Sequence, residues 1–266
     1  MSEVGKIRVG IGGWVFAPWR GEFYPKGLPQ ARELEHASRK LTSIEINGTF
    51  YRTQKPDSFR KWAAETPDDF VFSVKGPQFA TNRRVLAEAG ESIERFFGSG
   101  VLELKSKLGP ILWQMAPTKK FDPEDFEGFL ALLPKELDGR AIRHVVEVRQ
   151  ASFLVPAFID LLRKFSVAVV LVESSKHPLI ADVTSDFVYA RLQGTSEKEK
   201  TGYPAKALDL WAKRAQAWAA GGAPDDLSPI GGKAPAKAKR DVFVYMISGA
   251  KVRAPAAAMA LIERLR

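Results

Sequence analysis

The sequence contains no cysteine and only three histidines among its 266 residues. Without cysteine the chain can form no disulfide, no thiolate metal site and no cysteine nucleophile. His36 lies in a predicted helix, His144 at the start of a predicted strand and His177 in a predicted loop. Because these positions are dispersed, we expect no histidine-rich multi-metal centre, and we interpret His177 as a loop residue rather than a metal ligand.

Long hydrophobic runs are also absent. No stretch approaches the ~20 apolar residues of a membrane-spanning helix, and the first residues, MSEVGKIRVGIGGW, lack the apolar core of a signal peptide. We therefore expect a cytoplasmic protein without a membrane partner. The sequence also lacks a Walker loop, a GxGxxG turn after its first strand and a zinc-spacing motif, which argues against P-loop, Rossmann and zinc-dependent classes.

Acidic residues are fewer than basic ones, 31 against 40, which gives a net charge of +9. Part of this excess is local, in a Gly/Pro-rich loop over residues 221–239 and the residue that follows it, and at Lys119 and Lys120. The loop region contributes Lys233, Lys237, Lys239 and Arg240. A solvated basic surface and a nucleic-acid or anionic-ligand partner are the two interpretations.

Eight strand-like segments alternate with helix-like segments along the chain. The clearest strand lies in TSIEINGTFY (residues 42–51), where isoleucines alternate with Glu45 and Asn47. The other strands are predicted over 7–11, 69–75, 110–115, 144–149, 167–173, 186–191 and 241–247. Helices are predicted over 30–39, 56–65, 87–97, 101–108, 123–133, 155–165, 203–220 and 254–265. This pattern predicts an α/β fold, a parallel (β/α)8 TIM barrel that forms one domain over residues 1–266.

Near the carboxyl ends of these strands, polar side chains occupy positions that are predicted to face the barrel axis. Barrel enzymes have their active sites at this end. These side chains are Glu45, Asn47, Ser73, Lys75, Gln114, Glu147, Arg149, Glu173, Tyr189 and Arg191. Buried charges must pair with one another or bind something charged. The set is therefore either a neutralising network that fills the barrel or a functional site, and we favour the site.

Several chemistries fit these residue types. We predict Glu45, Lys75, Glu147 and Glu173 as catalytic, with the carboxylates as general acids or bases and Lys75 as a base or Schiff-base nucleophile. A larger set is predicted to bind the substrate: Trp14, Asn47, Tyr51, Gln114, Arg149, Tyr189 and Arg191. The two arginines suit a phosphate or carboxylate. A Mg²⁺ or Mn²⁺ ion held by the three glutamates is an alternative.

An aromatic-rich segment follows the first strand. It carries Trp14, Phe16, Trp19, Phe23 and Tyr24. These rings form either a lid that stacks on a ligand or simple packing over the barrel mouth.

The same residues carry a resemblance to the YecE-like family, a domain of unknown function (number 72). The matching segments are GIGGWVFAPWRGEFYP, TSIEINGTFYRTQKPDSFRKWAAETPDDFVFSVK, LGPILWQMAP, HVVEVR, DFVYARLQG and YPAKALDLWAKRAQAW. The resemblance implies a TIM-barrel fold and no established reaction. The sequence departs from the family pattern at three positions where the resemblance implies histidines, namely Asn82, Gln150 and Ser248-Gly249-Ala250, which suggests a changed substrate or binding alone.

Three hypotheses follow from the sequence. The first is an enzyme that acts on a small anionic substrate by carboxylate acid/base chemistry. The second is a non-catalytic protein that binds nucleic acid or nucleotides through its aromatic segment and basic surface. The third, a divalent-metal-dependent isomerase or phosphodiesterase, depends on barrel analogy alone.

Overall fold

The computed structural model describes residues 4–232 and 236–266, so Lys233 of the basic loop lies outside the described residues. The strands are β1 (Ile7–Gly12), β2 (Ser43–Ile46), β3 (Val71–Lys75), β4 (Leu108–Gln114), β5 (Glu136–Leu137), β6 (Arg140–Ala141), β7 (His144–Glu147), β8 (Ala168–Glu173), β9 (Phe187–Leu192) and β10 (Asp241–Met246). All except β5 and β6 are parallel and close into one barrel, with β10 hydrogen-bonded to β1. The predicted eight-stranded parallel barrel is confirmed.

Helices surround the barrel. They are α1 (Glu33–Lys40), α2 (Gly48–Tyr51), α3 (Pro56–Ala64), α4 (Gln78–Thr81), α5 (Gly90–Gly98), α6 (Pro123–Ala131), α7 (Pro156–Phe165), α8 (Ala205–Ala219) and α9 (Ala254–Arg264). Residues 174–186 connect β8 to β9 without forming a helix. The short β5–β6 hairpin was not predicted. No helix in the two described ranges is long and apolar enough to cross a membrane.

Local sequence signals set several helix starts. Helices α3, α6 and α7 each begin at a proline, whose fixed φ suits the first helical turn and whose missing N–H is not needed there. Asp122 caps α6 by accepting hydrogen bonds from the backbone N–H groups of Glu124 and Asp125, at 3.1 and 3.2 Å. These signals account for the agreement between the predicted and observed positions of those three helices.

The barrel interior is apolar at its centre and polar at its carboxyl end. The central cluster consists of Leu112, Val145, Ala168, Val170, Val172, Phe187, Tyr189, Phe243, Tyr245 and Ile247. Side chains of the opposite phase, such as Val169 and Leu171 of β8, join the larger core between barrel and helices. The charged residues at the carboxyl end therefore lie on an apolar floor that excludes water from below.

Candidate active site

Three charged side chains from three strands meet at the carboxyl end of the barrel. Arg191 of β9 donates from Nη2 to Glu45 Oε1 (2.9 Å) and from Nε to Glu45 Oε2 (3.1 Å), and its Nη1 donates to Glu147 Oε2. Arg191 is 2% exposed, and both glutamates are fully buried. Charges this deeply buried need well-aligned partners to offset their lost hydration. Arg191 therefore bridges β2 and β7 across the barrel axis.

The charges in this group stabilise one another. Burial alone would lower the pKa of Arg191, but Glu147 and Glu45 raise it above its ordinary value. Burial alone would raise the pKa of the Glu147 carboxyl, but Arg191 and Arg149 together lower it. Arg191 and Glu147 are consequently ionised at neutral pH.

A layer of hydroxyl groups lies next to these charges. Tyr189 donates its hydroxyl to Glu45 Oε2 at 2.7 Å. Tyr245 shares hydrogen bonds with Ser43 and Ser73, each at 2.6 Å between hydroxyl oxygens. Burial, followed by the charge of Glu45, raises the pKa of Tyr189 well above its ordinary value, so this phenol stays protonated and donates. Tyr189 thus fixes Glu45 from within the barrel interior.

A second set of hydrogen bonds leads from Glu147 to Lys75. Arg149 Nε and Gln114 Nε2 both donate to Glu147 Oε1, at 2.8 Å each. Lys75 Nζ in turn donates to Gln114 Oε1 at 2.7 Å. The Gln114 amide is oriented by Glu147 and presents a neutral oxygen to the lysine, so Lys75 has an amide acceptor instead of a direct carboxylate partner.

Lys75 lies in surroundings that disfavour its charged form. Only 5% of the residue is exposed, and Nζ lies 3.7 Å from the centroid of the Phe50 ring. Burial, and then the charge of Arg191, lowers the pKa of Lys75 from 10.5 to about 8, while Glu45 and Glu147 partly offset this effect. The Lys75 amine therefore loses its proton at a lower pH than an exposed lysine does.

A cavity of about 420 Å³ opens above these residues. Its lining comprises Gly12, Trp19, Asn47, Tyr51, Lys75, Gln114, Arg149, Arg191, Met246, Ile247, Ser248, Lys251 and Ala254. Five predicted binding residues line it (Asn47, Tyr51, Gln114, Arg149 and Arg191), together with the predicted catalytic Lys75. Tyr189, Glu45 and Glu147 support it through the contacts described above.

The cavity carries excess positive charge. Four basic side chains, Lys75, Arg149, Arg191 and Lys251, line it, and two carboxylates, Glu45 and Glu147, pair with its arginines. The excess is two positive charges when Lys75 is protonated and one when Lys75 is neutral. The fourth cation, Lys251, was not predicted from the sequence, although it closely follows the last strand, where barrel loops contribute site residues. Its Nζ lies 4.5 Å from the Phe16 ring centroid, and burial lowers its pKa.

Comparison with known proteins establishes the family. A family model described as "Protein of unknown function DUF72" matches residues 8–266. The chain belongs to the DUF72 family. The resemblance to YecE-like proteins noted from the sequence is thereby confirmed.

Named relatives of this DUF72 protein match over a shorter stretch. UPF0759 protein YecE of Escherichia coli K12 is 29% identical over 115 residues, which is 42% of this chain and 41% of that protein. UPF0759 protein YunF of Bacillus subtilis is 28% identical over 116 residues, 42% of this chain and 40% of that protein. The match thus spans about two fifths of the length of these relatives.

The crystal structure of a DUF72 protein from Thermotoga maritima superposes with a TM-score of 0.72 at 22% identity. The superposition covers 98% of this chain and 99% of that one. This similarity shows the shared fold.

One predicted catalytic residue of the DUF72 chain lies elsewhere. Val172 points into the barrel, so the next residue, Glu173, points outward. Glu173 Oε2 accepts hydrogen bonds from the Tyr203 hydroxyl and from the Gly194 N–H, the latter at 3.0 Å. The prediction that Glu173 faces the barrel axis is wrong, and its carboxylate instead anchors the segment after β9.

Most rings of the aromatic segment pack against the protein core and are not exposed to the cavity. Trp14 does not line the cavity, because its ring contacts Trp62 and Phe72, at centroid distances of 5.2 and 6.3 Å. Trp19 and Tyr24 are fully buried. The packing interpretation of this segment fits the structure, although an edge of Trp19 reaches the cavity.

The three glutamates do not converge on a common point. Arg191 lies between Glu45 and Glu147, and Glu173 faces away from both. Within residues 4–232 and 236–266, no group of three or more histidine, aspartate or glutamate side chains is arranged to hold a metal ion. The alternative of a Mg²⁺ or Mn²⁺ ion held by these three carboxylates therefore does not fit the geometry.

Two of the positions at which the resemblance implies family histidines have local roles here. Gln150 caps a 3₁₀ turn by accepting a hydrogen bond from the Ser152 N–H at 2.5 Å. Gly249 has φ of +60°, and a side chain there would lie 2.5 Å from Thr195 Oγ1. A bulkier residue at position 249 would displace the loop after β10.

One histidine does lie near the site. The ring nitrogen Nδ1 of His177 is buried without a hydrogen-bond partner. Burial, followed by the charge of Arg149, lowers the pKa of this imidazole, and Glu147 partly offsets the effect. The loop assignment of His177 is correct, and the helix-free segment 174–186 brings it within electrostatic reach of the arginines.

Proposed function

We propose that this DUF72 protein is an enzyme that binds a small carboxylate- or phosphate-bearing substrate at the carboxyl end of the barrel. The observation that carries the proposal is the cavity whose four basic side chains outnumber the two carboxylates that pair with them. Such a cavity is costly to leave without an anion, because its cations are partly removed from water. Its volume fits a small metabolite and is low for a drug-sized ligand.

The lining residues divide into three roles. Arg149 and Lys251 lie at the rim and bind the anionic group, for which a guanidinium is suited to bidentate contact. Lys75 is the catalytic group, since an amine with a pKa near the working pH can transfer a proton or act as a nucleophile. Glu45 and Glu147 hold Arg191 and Gln114 in position, a different role from the direct acid/base chemistry expected from the sequence.

The binding test is a thermal-shift screen of the purified protein against small carboxylates, phosphates and uncharged analogues. A ligand at ~100 times its dissociation constant stabilises by about 2.7 kcal/mol, a shift of a few degrees for a chain of this length. We expect anions alone to raise the melting temperature, and we expect Arg149→Met and Lys251→Met to abolish the shift.

The matched control is Arg143→Met, which removes an arginine at the opposite end of the barrel. This variant should keep the full anion-dependent shift. Equal loss in all three variants would indicate general electrostatic binding and contradict the proposal. Oligonucleotides in the same screen test the nucleic-acid hypothesis, which predicts a shift that salt abolishes.

A further inference from the structure

The cavity contains two lysines with different surroundings. Lys251 packs beside the rings of Phe16 and Trp19 at the rim. Lys75 lies deeper, with Nζ beside the Phe50 ring and hydrogen-bonded to Gln114 Oε1. Lys75 therefore lies in the buried part of the cavity, beside Gln114 and the Phe50 ring, whereas Lys251 lies at its rim.

A third lysine, Lys107, is also buried, but its amine does not face the cavity. Lys107 is 8% exposed, close to the 5% of Lys75. Its Nζ donates to the Ala63 and Thr66 carbonyl oxygens, at 2.6 Å each, and to Thr66 Oγ1 at 3.3 Å. Three oxygen acceptors therefore surround the Lys107 Nζ, and Lys107 does not line the cavity. Lys107 is thus a structural lysine.

Lys75 differs in each of these respects. One neutral oxygen, Gln114 Oε1, accepts from its Nζ, and the remaining directions are bounded by the cavity and the Phe50 face. A buried amine that can lose its proton and that faces a cavity open to a ligand satisfies the requirements of a Schiff-base lysine. The lowered pKa of Lys75, about 8, agrees with this role.

We propose that Lys75 forms an imine with the carbonyl carbon of an anionic carbonyl compound, whose carboxylate or phosphate is held by Arg149 and Lys251. The Nζ lone pair attacks the carbonyl carbon and gives a carbinolamine. The carbonyl oxygen then leaves as water with the two hydrogens of the neutral amine, and a C=N bond remains. No oxidant or further reactant is needed. This inference rests on the proposed anion site.

The test is reductive trapping. The intact protein is incubated at pH 8 with pyruvate or glyceraldehyde 3-phosphate, reduced with sodium borohydride, and mapped by peptide mass spectrometry. We expect the label at Lys75 in preference to Lys107 and exposed lysines. A lysine with the ordinary pKa of about 10.4 has ~100-fold less neutral amine at pH 8 than one with a pKa of 8.

Two controls sharpen the result. Lactate, which has a carboxylate but no carbonyl, should leave no label. Lys75→Arg should lose the preferred label, whereas labelling of exposed lysines should persist and report that the reaction itself worked. The wild-type peptide map does not depend on that variant folding, so the proposal can be judged from it alone.

The outcomes separate the two proposals. Label spread over exposed lysines and absent from Lys75, in a protein that anions still stabilise, overturns the imine and leaves the anion site intact. The absence of both anion stabilisation and Lys75 labelling overturns both. Preferential Lys75 labelling that excess sodium sulfate suppresses supports both.

Discussion

The two ends of the barrel hold the same arrangement, an arginine between two carboxylates, in opposite surroundings. At the carboxyl end Arg191 lies between Glu45 and Glu147, all three buried. At the amino end Arg143 pairs with Asp186 and Asp241, at 3.0 and 2.7 Å, and its side chain is 35% exposed.

Cavity size alone does not favour the carboxyl end as the candidate site. The cavity that Arg143 helps to line measures about 690 Å³, larger than the 420 Å³ cavity at the carboxyl end. What differs is desolvation. Buried charges act on one another strongly and fix one another's geometry, whereas exposed pairs are screened by water. The smaller, drier end is therefore the better candidate for chemistry, in line with the placement of active sites in this fold.

The largest expected effect comes from breaking the buried arrangement. Arg191→Met leaves Glu45 and Glu147 buried without their shared partner, and we expect the free energy of unfolding to fall by ~3–5 kcal/mol. Urea denaturation at pH 7 measures this change. Adding Glu45→Gln and Glu147→Gln should recover part of the loss, because the uncompensated charges are then gone. A loss below ~1 kcal/mol in Arg191→Met would mean that water reaches the carboxylates, contrary to their burial.

The next effect concerns the pH dependence of stability. The pKa of Lys75 is lower in the folded state than its ordinary value of 10.5, so between pH 8 and 10.5 the unfolded chain binds more protons. Stability from this group therefore rises with pH across that window, by on the order of 3 kcal/mol in total.

The measurement is the difference in unfolding free energy between the wild type and Lys75→Met, followed from pH 7 to 10.5. The difference should shift in favour of the wild type as pH rises, because the variant has no buried ammonium to neutralise. A difference that stays constant with pH would show that Lys75 keeps an ordinary pKa, and it would remove a support of the imine proposal.

The smallest effect is expected at the amino end. Arg143→Met breaks two ion pairs that are partly exposed to water, so we expect a loss of about 1 kcal/mol or less. Denaturation in low and high salt checks this value, because screening should shrink the difference between wild type and variant. A loss as large as that of Arg191→Met would erase the contrast between the two ends.

The sequence predicted the barrel and much of the candidate site for identifiable reasons. Strand β2 alternates apolar and polar residues, so its phase placed Glu45 inward without ambiguity. Strand β8 is apolar except for Glu173, and such a strand has no visible phase. Barrel closure determines the side of the strand on which Glu173 lies. The alternation of residues in the sequence does not reveal this side.

Two other residues show the same limit. Trp14 follows β1, where an aromatic ring could contact either a ligand or the outer core. In the structure its ring packs against Trp62, in the outer core. Lys251 begins a short 3₁₀ helix whose position depends on the turn at Ser248 and Gly249, both with positive φ. Loop residues reach a site through backbone geometry that composition alone does not specify.

The Arg191 bridge also bears on the order of events in folding. Its bonds join residues 146 and 44 positions apart along the chain, so they form only when β2, β7 and β9 already lie in one barrel. Contacts of such long sequence separation are expected late, after the entropic cost of closing the chain has been met. Interactions absent from the transition state slow unfolding more than they speed folding. We therefore expect the Arg191 bridge to slow the unfolding of the closed barrel more than it speeds its folding.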